Sequence, residues 1–418
     1  MAYDSIETAI EAIRSGSIVV VADDASSENA GYLVIGAEKI TPKAVAFLVR
    51  HTRGVVCAAL PGERLDALRL PQMAGHNSEA HGIAFTVSVD FNKGTGIGIS
   101  AADRSATLRA LADPRTTAED FTRPGHVFPL QTRKHGVLER PGHADAAVDL
   151  ARLAGLDPAA ALSEIANDDG SVARGPELLA FAQNHWLPIV TIADLIAYRR
   201  RTERLVEHIA EARLPTSAGL FTAHVYRSLL DGSEHLALVK GQVHGRDNVL
   251  VRVHSECLTG DVLNSLRCDC GNQLRMALAR IEQAGSGVLV YLRGHEGRGI
   301  GLAHKLQAYR LQDQGRDTVE ANLDLGLPVD SRRYDVGAQI LSDLGVTTLR
   351  LMSNNPAKFT ELEGYRLKIV ERVPLEPAPN RENLVYLRTK SEKLGHWLNL
   401  DGQRRDAENG LNFPLLAE

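Results

Sequence analysis

Strand-like apolar runs alternate with helix-periodic segments along nearly the whole chain, and that alternation admits little besides a layered α/β architecture. In the first half, SIVVVAD (17–23), YLVIGAE (32–38), VVCAALP (55–61) and IAFTVSVDF (83–91) carry the strand pattern. PKAVAFLVRHT (42–52), AADRSATLRALAD (101–113) and ADAAVDLARLAGL (144–156) carry the helical one. The second half repeats the alternation with different residues: strand-like HLALVKGQV, VLVRVHS and GVLVYLR, then TLRLM and KIVERVPL, with helical NQLRMALARIEQAG, LAHKLQAYRLQDQG and GAQILSDLG among them. No internal repeat relates the halves, so the pattern reads as a fusion of two unlike α/β domains.

A length of 418 residues suits two cores rather than one. The run AYRRRTERLVEHIAEARLPTS (197–217) reads as a charged helix ending at Pro215, so the boundary is placed there. The expected layout is a first domain at 1–200, a linker at 201–215, a second domain at 216–400 and a tail at 401–418. Arg199, Arg200 and Arg201 read as the solvated end of that helix rather than a nucleic-acid patch. A net charge of −5 supplies no general attraction for nucleic acid. No apolar run reaches the ~20 residues of a membrane helix, and the first residues lack a secretory pattern. The expectation is a cytoplasmic protein with neither membrane nor nucleic-acid partners.

Three of the four cysteines crowd into Cys257-x10-Cys268-Asp269-Cys270. Three thiolates leave the fourth tetrahedral position of Zn²⁺ open for water, as catalytic zinc requires. The spacing alone also admits a closed structural site completed by His254 or a distant side chain. Cys57 stands in an apolar run and reads as a packing residue. The glycine-rich segment Glu296 to Gly301 follows a strand and precedes a helix, a context in which backbone N–H groups can meet phosphate. It has neither the dinucleotide nor the Walker spacing. Lys358 follows Asn-Asn-Pro, which should cap a helix, so its ammonium could reach a phosphate there or simply sit at the surface. Asp330 and Arg332 share one side of an extended segment, where the bland reading is an exposed loop.

RVHSECLTGDVLNSLRCDCGNQL (252–274), GHEGRGIGL (294–302), LQAYRLQDQGRDTVEAN (306–322), VDSRRYD (329–335), SNNPAK (353–358) and VERVPL (370–375) together resemble GTP cyclohydrolase II. The resemblance implies zinc on Cys257, Cys268 and Cys270, and a GTP site of Arg252, Val253, His254, Ser255, Glu256, Gln273, Glu296, Gly297, Arg298, Thr318, Ser353 and Lys358. Ser353 stands where the family has threonine. It further implies Tyr309 in the active site, Asp330 as proton acceptor and Arg332 as nucleophile towards the α-phosphorus, with Mg²⁺ on the phosphates. A guanidinium is protonated at any physiological pH, so stabilising charge at phosphorus is the easier role for Arg332. Both family halves are usually dimeric, so a homodimer is expected.

The first 200 residues resemble 3,4-dihydroxy-2-butanone 4-phosphate synthase through the acidic loop at 23–31, SAADR (100–104), RPGHVFPL (123–130), RPGH (140–143) and NDDG (167–170). The family loop resembles DDEDRENEGD; here it is DDASSENAGY. Ser27 replaces an arginine, while Ala25, Ser26, Ala30 and Tyr32 replace acids. TGIG (95–98) replaces VTTG, and Ala144 a threonine. Glu28, His143 and Glu164 remain, the first two as a vestigial Mg²⁺ site. The losses fall on reacting groups, so the expectation is one working cyclohydrolase beside a degenerate synthase domain. A chain active in both halves, a non-catalytic scaffold and a zinc-dependent nucleic-acid binder are the competing readings.

Overall fold

The computed structural model describes residues 3–24, 30–52, 55–78, 82–356, 358, 359, 362, 365 and 367–399. It divides into two compact units, Met1–Thr202 and Glu203–Glu418. Within the first, the strands are β1 (Val19–Ala22), β2 (Gly31–Gly36), β3 (Cys57–Pro61), β4 (Ala84–Phe85), β5 (Val89–Phe91), β6 (Phe121–Thr132), β7 (Ala160–Glu164) and β8 (Ile189–Thr191). They form one mixed sheet in the order β4-β6-β3-β7-β2-β1-β8, with β5 added to β6. Only β1/β8 and β3/β6 are parallel.

Alternate residues of these strands enter two separate cores. Val20, Leu33 and Ala58 pack under the helices Pro42–His51, Ala101–Ala112 and Pro176–Asn184. Val19, Val34 and Ala59 pack under Ile6–Arg14, His143–Leu153 and Ile192–Thr202. Burial on both faces explains why these strands are continuous apolar runs rather than alternating ones. The run expected as a single strand at 83–91 is two short strands, because Val87 N–H turns to Pro71 O and so leaves the β6 ladder.

The second unit holds β9 (Val206–Thr216), β10 (Gly219–Ser228), β11 (Glu234–Lys240), β12 (Val249–Ser255), β13 (Gly287–Leu292), β14 (Thr348–Met352) and β15 (Lys368–Val373). Their order is β15-β14-β12-β13-β11-β10-β9. The half from β15 to β13 is parallel and the half from β13 to β9 antiparallel. Helix Asp335–Asp343 covers one face and helix Cys270–Ala284 the other.

The charged run placed across the boundary is not one helix. The helix stops at Thr202 and residues 206–216 are β9, so a linker at 201–215 is corrected. Charge spaced every three or four residues also suits the last strand of a sheet, where charged side chains and Pro215 discourage further pairing. The pairing of β9 with β10 across a turn at Thr216–Gly219 overrides the local helical pattern. The tail at 401–418 lies outside the described residues.

Candidate active site

The parallel strands β12, β13 and β14 end at Ser255, Leu292 and Met352, and the chemistry-bearing segments follow each end directly. A crevice beyond the carboxyl ends of parallel strands is where α/β sheets place ligands, because the loops there diverge from a rigid base. Two adjoining clefts occupy this position. One, of about 670 Å³, is lined by the cysteines, Glu296, Lys305 and Tyr309 among others. The other, of about 560 Å³, is lined by five basic side chains among polar ones. Ser255, Cys270, Arg298, Arg332 and Tyr386 are common to both.

The three thiols converge, with all sulfurs within 4.8 Å of one another and Cys257 Sγ 3.7 Å from Cys268 Sγ. Tetrahedral zinc with Zn–S bonds of ~2.3 Å spaces its sulfurs by about 3.8 Å, so the cradle already has the size of the ion. Gly260 makes the approach possible: a Cβ there would lie 2.7 Å from Cys268 Sγ and 3.2 Å from Cys257 Sγ. Hydrogen bonds from Cys268 and Cys270, then the Lys305 ammonium, hold the Cys257 thiol far below its ordinary value. The bond to Cys257 pushes Cys268 up to about 11. Gly260→Ala should therefore weaken zinc retention by roughly 10-fold or more with little change in helical content, read by metal analysis after dialysis and by circular dichroism.

Cys257 is positioned from below. Asp261 accepts from Cys257 N (3.0 Å), from Tyr291 Oη (2.9 Å) and pairs with His254 Nε2 (3.1 Å). Glu296 accepts from Leu258 N at 2.6 Å and from Lys305 Nζ, which in turn contacts Cys257 Sγ (3.2 Å) and Thr259 Oγ1 (2.7 Å). The Cys257 sulfur and Glu296 outweigh burial and raise the Lys305 ammonium above its ordinary value, so it stays charged beside the Cys257 sulfur. Tyr309, one helical turn after Lys305, lies in the same cleft with Arg267 and Lys305 over its ring at 4.9 and 5.6 Å. Burial raises its phenol.

The glycine-rich segment is a tight turn with left-handed Gly297 (φ 60°) and Arg298 (φ 65°) ahead of helix Gly301–Asp313. A Cβ at Gly299 would lie 2.4 Å from Ser331 Oγ. The strained turn drives Arg298 into the wall between the clefts, where Nη1 and Nη2 are buried with no hydrogen-bond partner among the described residues. Around the cationic cleft stand Arg252, Arg332, Lys358 and Lys390. Burial, then Arg252, Arg332 and Lys390, drive the Lys358 ammonium well below its usual range. So many cations in one recess repel one another, and an anion of several charges is the ligand that relieves them.

Arg332 donates to Asp330 through Nε and through its backbone N–H, at 2.9 and 3.0 Å. Partial burial would raise the Asp330 carboxyl, whose outer edge is exposed, but the Arg332 bond and charge outweigh it and hold the group low. Tyr334 and then Asp330 raise the Arg332 guanidinium against the cost of burial and keep it protonated. The bland reading of an exposed loop fits Asp330 but not Arg332, which lines both clefts.

In the first unit, His143 starts the helix His143–Leu153 and Tyr32 stacks on its ring, with centroids 4.1 Å apart at 29°. Burial pushes the imidazole down to about 4. Nε2 lies 3.5 Å from Asp23 Oδ1, and Tyr32 stands opposite Glu164 in the β2/β7 register. Glu28 and Ser27 lie outside the described residues.

The family model for 3,4-dihydroxy-2-butanone 4-phosphate synthase matches residues 7–198, and that for GTP cyclohydrolase II residues 207–374. A riboflavin biosynthesis protein RibBA of Salinispora arenicola is 58% identical over 96% of this chain and 95% of its own length. The chain belongs to this two-domain riboflavin biosynthesis family. The bifunctional riboflavin biosynthesis protein RIBA 1, chloroplastic, of Arabidopsis thaliana is 57% identical over 95% of this chain and 74% of its own. The crystal structure of RibBX, a two-domain 3,4-dihydroxy-2-butanone 4-phosphate synthase from A. baumannii, is similar with a TM-score of 0.66 and 36% identity, covering 88% of this chain and 99% of that one. In family terms the second unit is a GTP cyclohydrolase II domain and the first a synthase-like domain. No helix among the described residues is long and apolar enough to cross a membrane.

Of the residues the resemblance named, Ser255, Glu256, Glu296, Gly297, Arg298, Thr318, Tyr309 and Arg332 line the thiol cleft, and Arg252, Gln273, Ser353 and Lys358 the cationic one. Val253 and His254 line neither. Val253 is core, and its carbonyl accepts from Lys358 Nζ at 2.8 Å. The Asn354 side chain holds Leu375 N and O at 3.1 and 2.8 Å; the expected helix cap involves residue 357, outside the described residues. Sequence reasoning missed Lys305, Asp261, Tyr386, Lys390 and His396. Lys305 was within reach, since it precedes Tyr309 by four residues on one helix face. Lys390 holds buried Asp269 (2.8 Å), which accepts from Gln273 Nε2 (2.6 Å), whose Oε1 accepts from Arg252 (2.6 Å). That chain joins distant segments, and no local pattern reveals it.

Proposed function

We propose that this protein is a zinc-dependent GTP cyclohydrolase II with one working active site. The observation that supports it is a zinc-sized thiol cradle opening, through shared Arg298 and Arg332, onto a recess of cations suited to a triphosphate. Cys257, Cys268 and Cys270 would hold the metal. When bound, zinc supplies a Lewis acid and a water that ionises near neutral pH. Tyr309, its phenol kept protonated by burial, holds a proton for a ring nitrogen. Lys305 and Glu296 orient the Cys257 segment. Arg252, Arg298 and Lys358 bind the polyphosphate, with Mg²⁺ on its oxygens, and Arg332 stabilises charge at the α-phosphorus. The products are 2,5-diamino-6-(5-phosphoribosylamino)pyrimidin-4(3H)-one, formate and pyrophosphate, serving riboflavin or a related pyrimidine-derived pathway.

Purified full chain with zinc, GTP and Mg²⁺ should release formate and pyrophosphate together; no turnover by zinc-replete protein overturns the reading. Arg332→Lys should lower kcat by roughly 10²-fold with a smaller change in KM, because a compact ammonium cannot reproduce the forked contact. Steady-state kinetics check it, and an unchanged kcat would remove Arg332 from the chemistry.

We further infer that the first unit has lost the synthase reaction. Four acids and an arginine of the reacting loop are replaced, and one replacement, Tyr32, stacks on the surviving His143. The bifunctional name of the Arabidopsis relative favours a second reading in which both units work. Ribulose 5-phosphate separates the two. A homodimer is proposed on family resemblance, and light scattering that finds a monomer at micromolar concentration overturns it.

A further inference from the structure

Away from the cysteines, the last strand pair of the second sheet gathers two imidazoles and a carboxylate. His224 Nδ1 lies 3.2 Å from His208 Nε2 and 3.5 Å from Glu211 Oε2, and the three donor atoms all fall within 4.8 Å of one another. A tetrahedral ion with bonds of ~2.0–2.1 Å to nitrogen or oxygen spaces its donors by about 3.3 Å, close to the two separations from His224 Nδ1.

A local irregularity creates the cluster. On a regular strand His208 and Glu211, three residues apart, would point to opposite faces. Glu211 pairs with His224 and Ala210 with Val225, but His208 pairs with Tyr226, so Ile209 is an extra residue in β9. The bulge reverses the alternation and returns His208 to the face that carries Glu211 and His224. The Tyr226 ring, 5.0 Å from that of His208, limits where the His208 imidazole can turn. His224 is largely shielded, its side chain 15% exposed, whereas Glu211 reaches solvent at 62%. Burial and then the neighbouring His208 lower the His224 imidazole below its ordinary value, so the ring is neutral at physiological pH, as a ligand must be.

We propose that His208, Glu211 and His224 form a second metal site, for a borderline divalent transition ion such as Zn²⁺, with a fourth position open to solvent. Imidazole donors favour such ions over Mg²⁺ and Ca²⁺, which require oxygen. Two ligands come from the outermost strand and one from its neighbour, so the ion staples β9 to β10 where the sheet has no further strand to hold it. The site belongs to the fold of the second unit and takes no part in GTP chemistry.

Chelator-stripped full chain titrated with Co²⁺ tests this. Two equivalents are expected for the native chain. One is a thiolate site with sulfur-to-metal charge transfer in the near ultraviolet, the other a nitrogen and oxygen site showing only weak visible bands. His208→Ala/His224→Ala should bind one equivalent, keep the charge-transfer band and turn over GTP at the native rate. Cys257→Ser/Cys268→Ser/Cys270→Ser should lose that band and keep the weak one. A native chain that binds one equivalent, or a double histidine variant that still binds two, overturns the proposal. Because the histidine variant retains the thiolate site, its GTP turnover reports folding without relying on the cysteine variant.

Discussion

Cys268→Ser should reduce formate and pyrophosphate release from GTP by at least ~10³-fold, because it removes one of three protein ligands from a metal whose Lewis acidity supplies several kcal/mol of transition-state stabilisation. Cys268 is buried and lies 3.7 Å from Cys257 Sγ, so serine would place a poorly ionised hydroxyl where a bound zinc would take a thiolate. The damage should stay local. Asp261, Glu296 and Lys305 still hold the Cys257 segment, and the first unit has its own cores. The measurement is a coupled assay of formate, pyrophosphate and pyrimidine product beside zinc analysis and thermal unfolding. Near-native turnover with zinc absent would sink the metal-dependent reading.

Ribulose 5-phosphate with Mg²⁺ should give no 3,4-dihydroxy-2-butanone 4-phosphate above background, in the same preparation that opens GTP. One positioned acid or base contributes about 10²- to 10⁴-fold, and the loop at 23–32 has Ala25, Ser26, Ala30 and Tyr32 where the family resemblance implies acids and Ser27 where it implies arginine. Tyr32 adds a steric reason. Its ring lies on His143 at a centroid distance of 4.1 Å and covers one face of the imidazole. Burial leaves His143 neutral near pH 7, so charge on that ring cannot compensate for the missing arginine. Tyr32→Asp alone should not restore turnover, because Ser27 and Ala30 remain. Product formation by the native chain at rates comparable with its GTP turnover would overturn the loss and favour a chain active in both units.

Much of the fold was legible because local patterns and tertiary packing agree. Runs such as Val19–Ala22 and Val288–Leu292 are apolar throughout, since their sheets are covered on both faces. Agreement failed at β9. Residues 206–216 carry charges at helical spacing, yet ten cross-strand partners on β10 decide for a strand. The candidate site was legible where ligands lie close in the chain, as with Cys268 and Cys270. It was not legible for Val253 and His254: their place in a named segment says nothing about which way an alternating strand points its side chains.

The sequence by itself determined two unlike α/β domains and a trio of cysteines, and family resemblance suggested zinc for that trio and changed residues in the loop at 23–32. Each is a matter of residue identity and short spacing. Only the tertiary structure decided that Lys305 touches Cys257, that Arg298 and Arg332 join the thiol cleft to the cationic one, and that a bulge at Ile209 gathers His208, Glu211 and His224. The physical reason is common to all three. Each depends on side-chain direction, set by a helix face, a left-handed turn or a displaced strand register, and direction is fixed by packing between segments rather than by the residues within one.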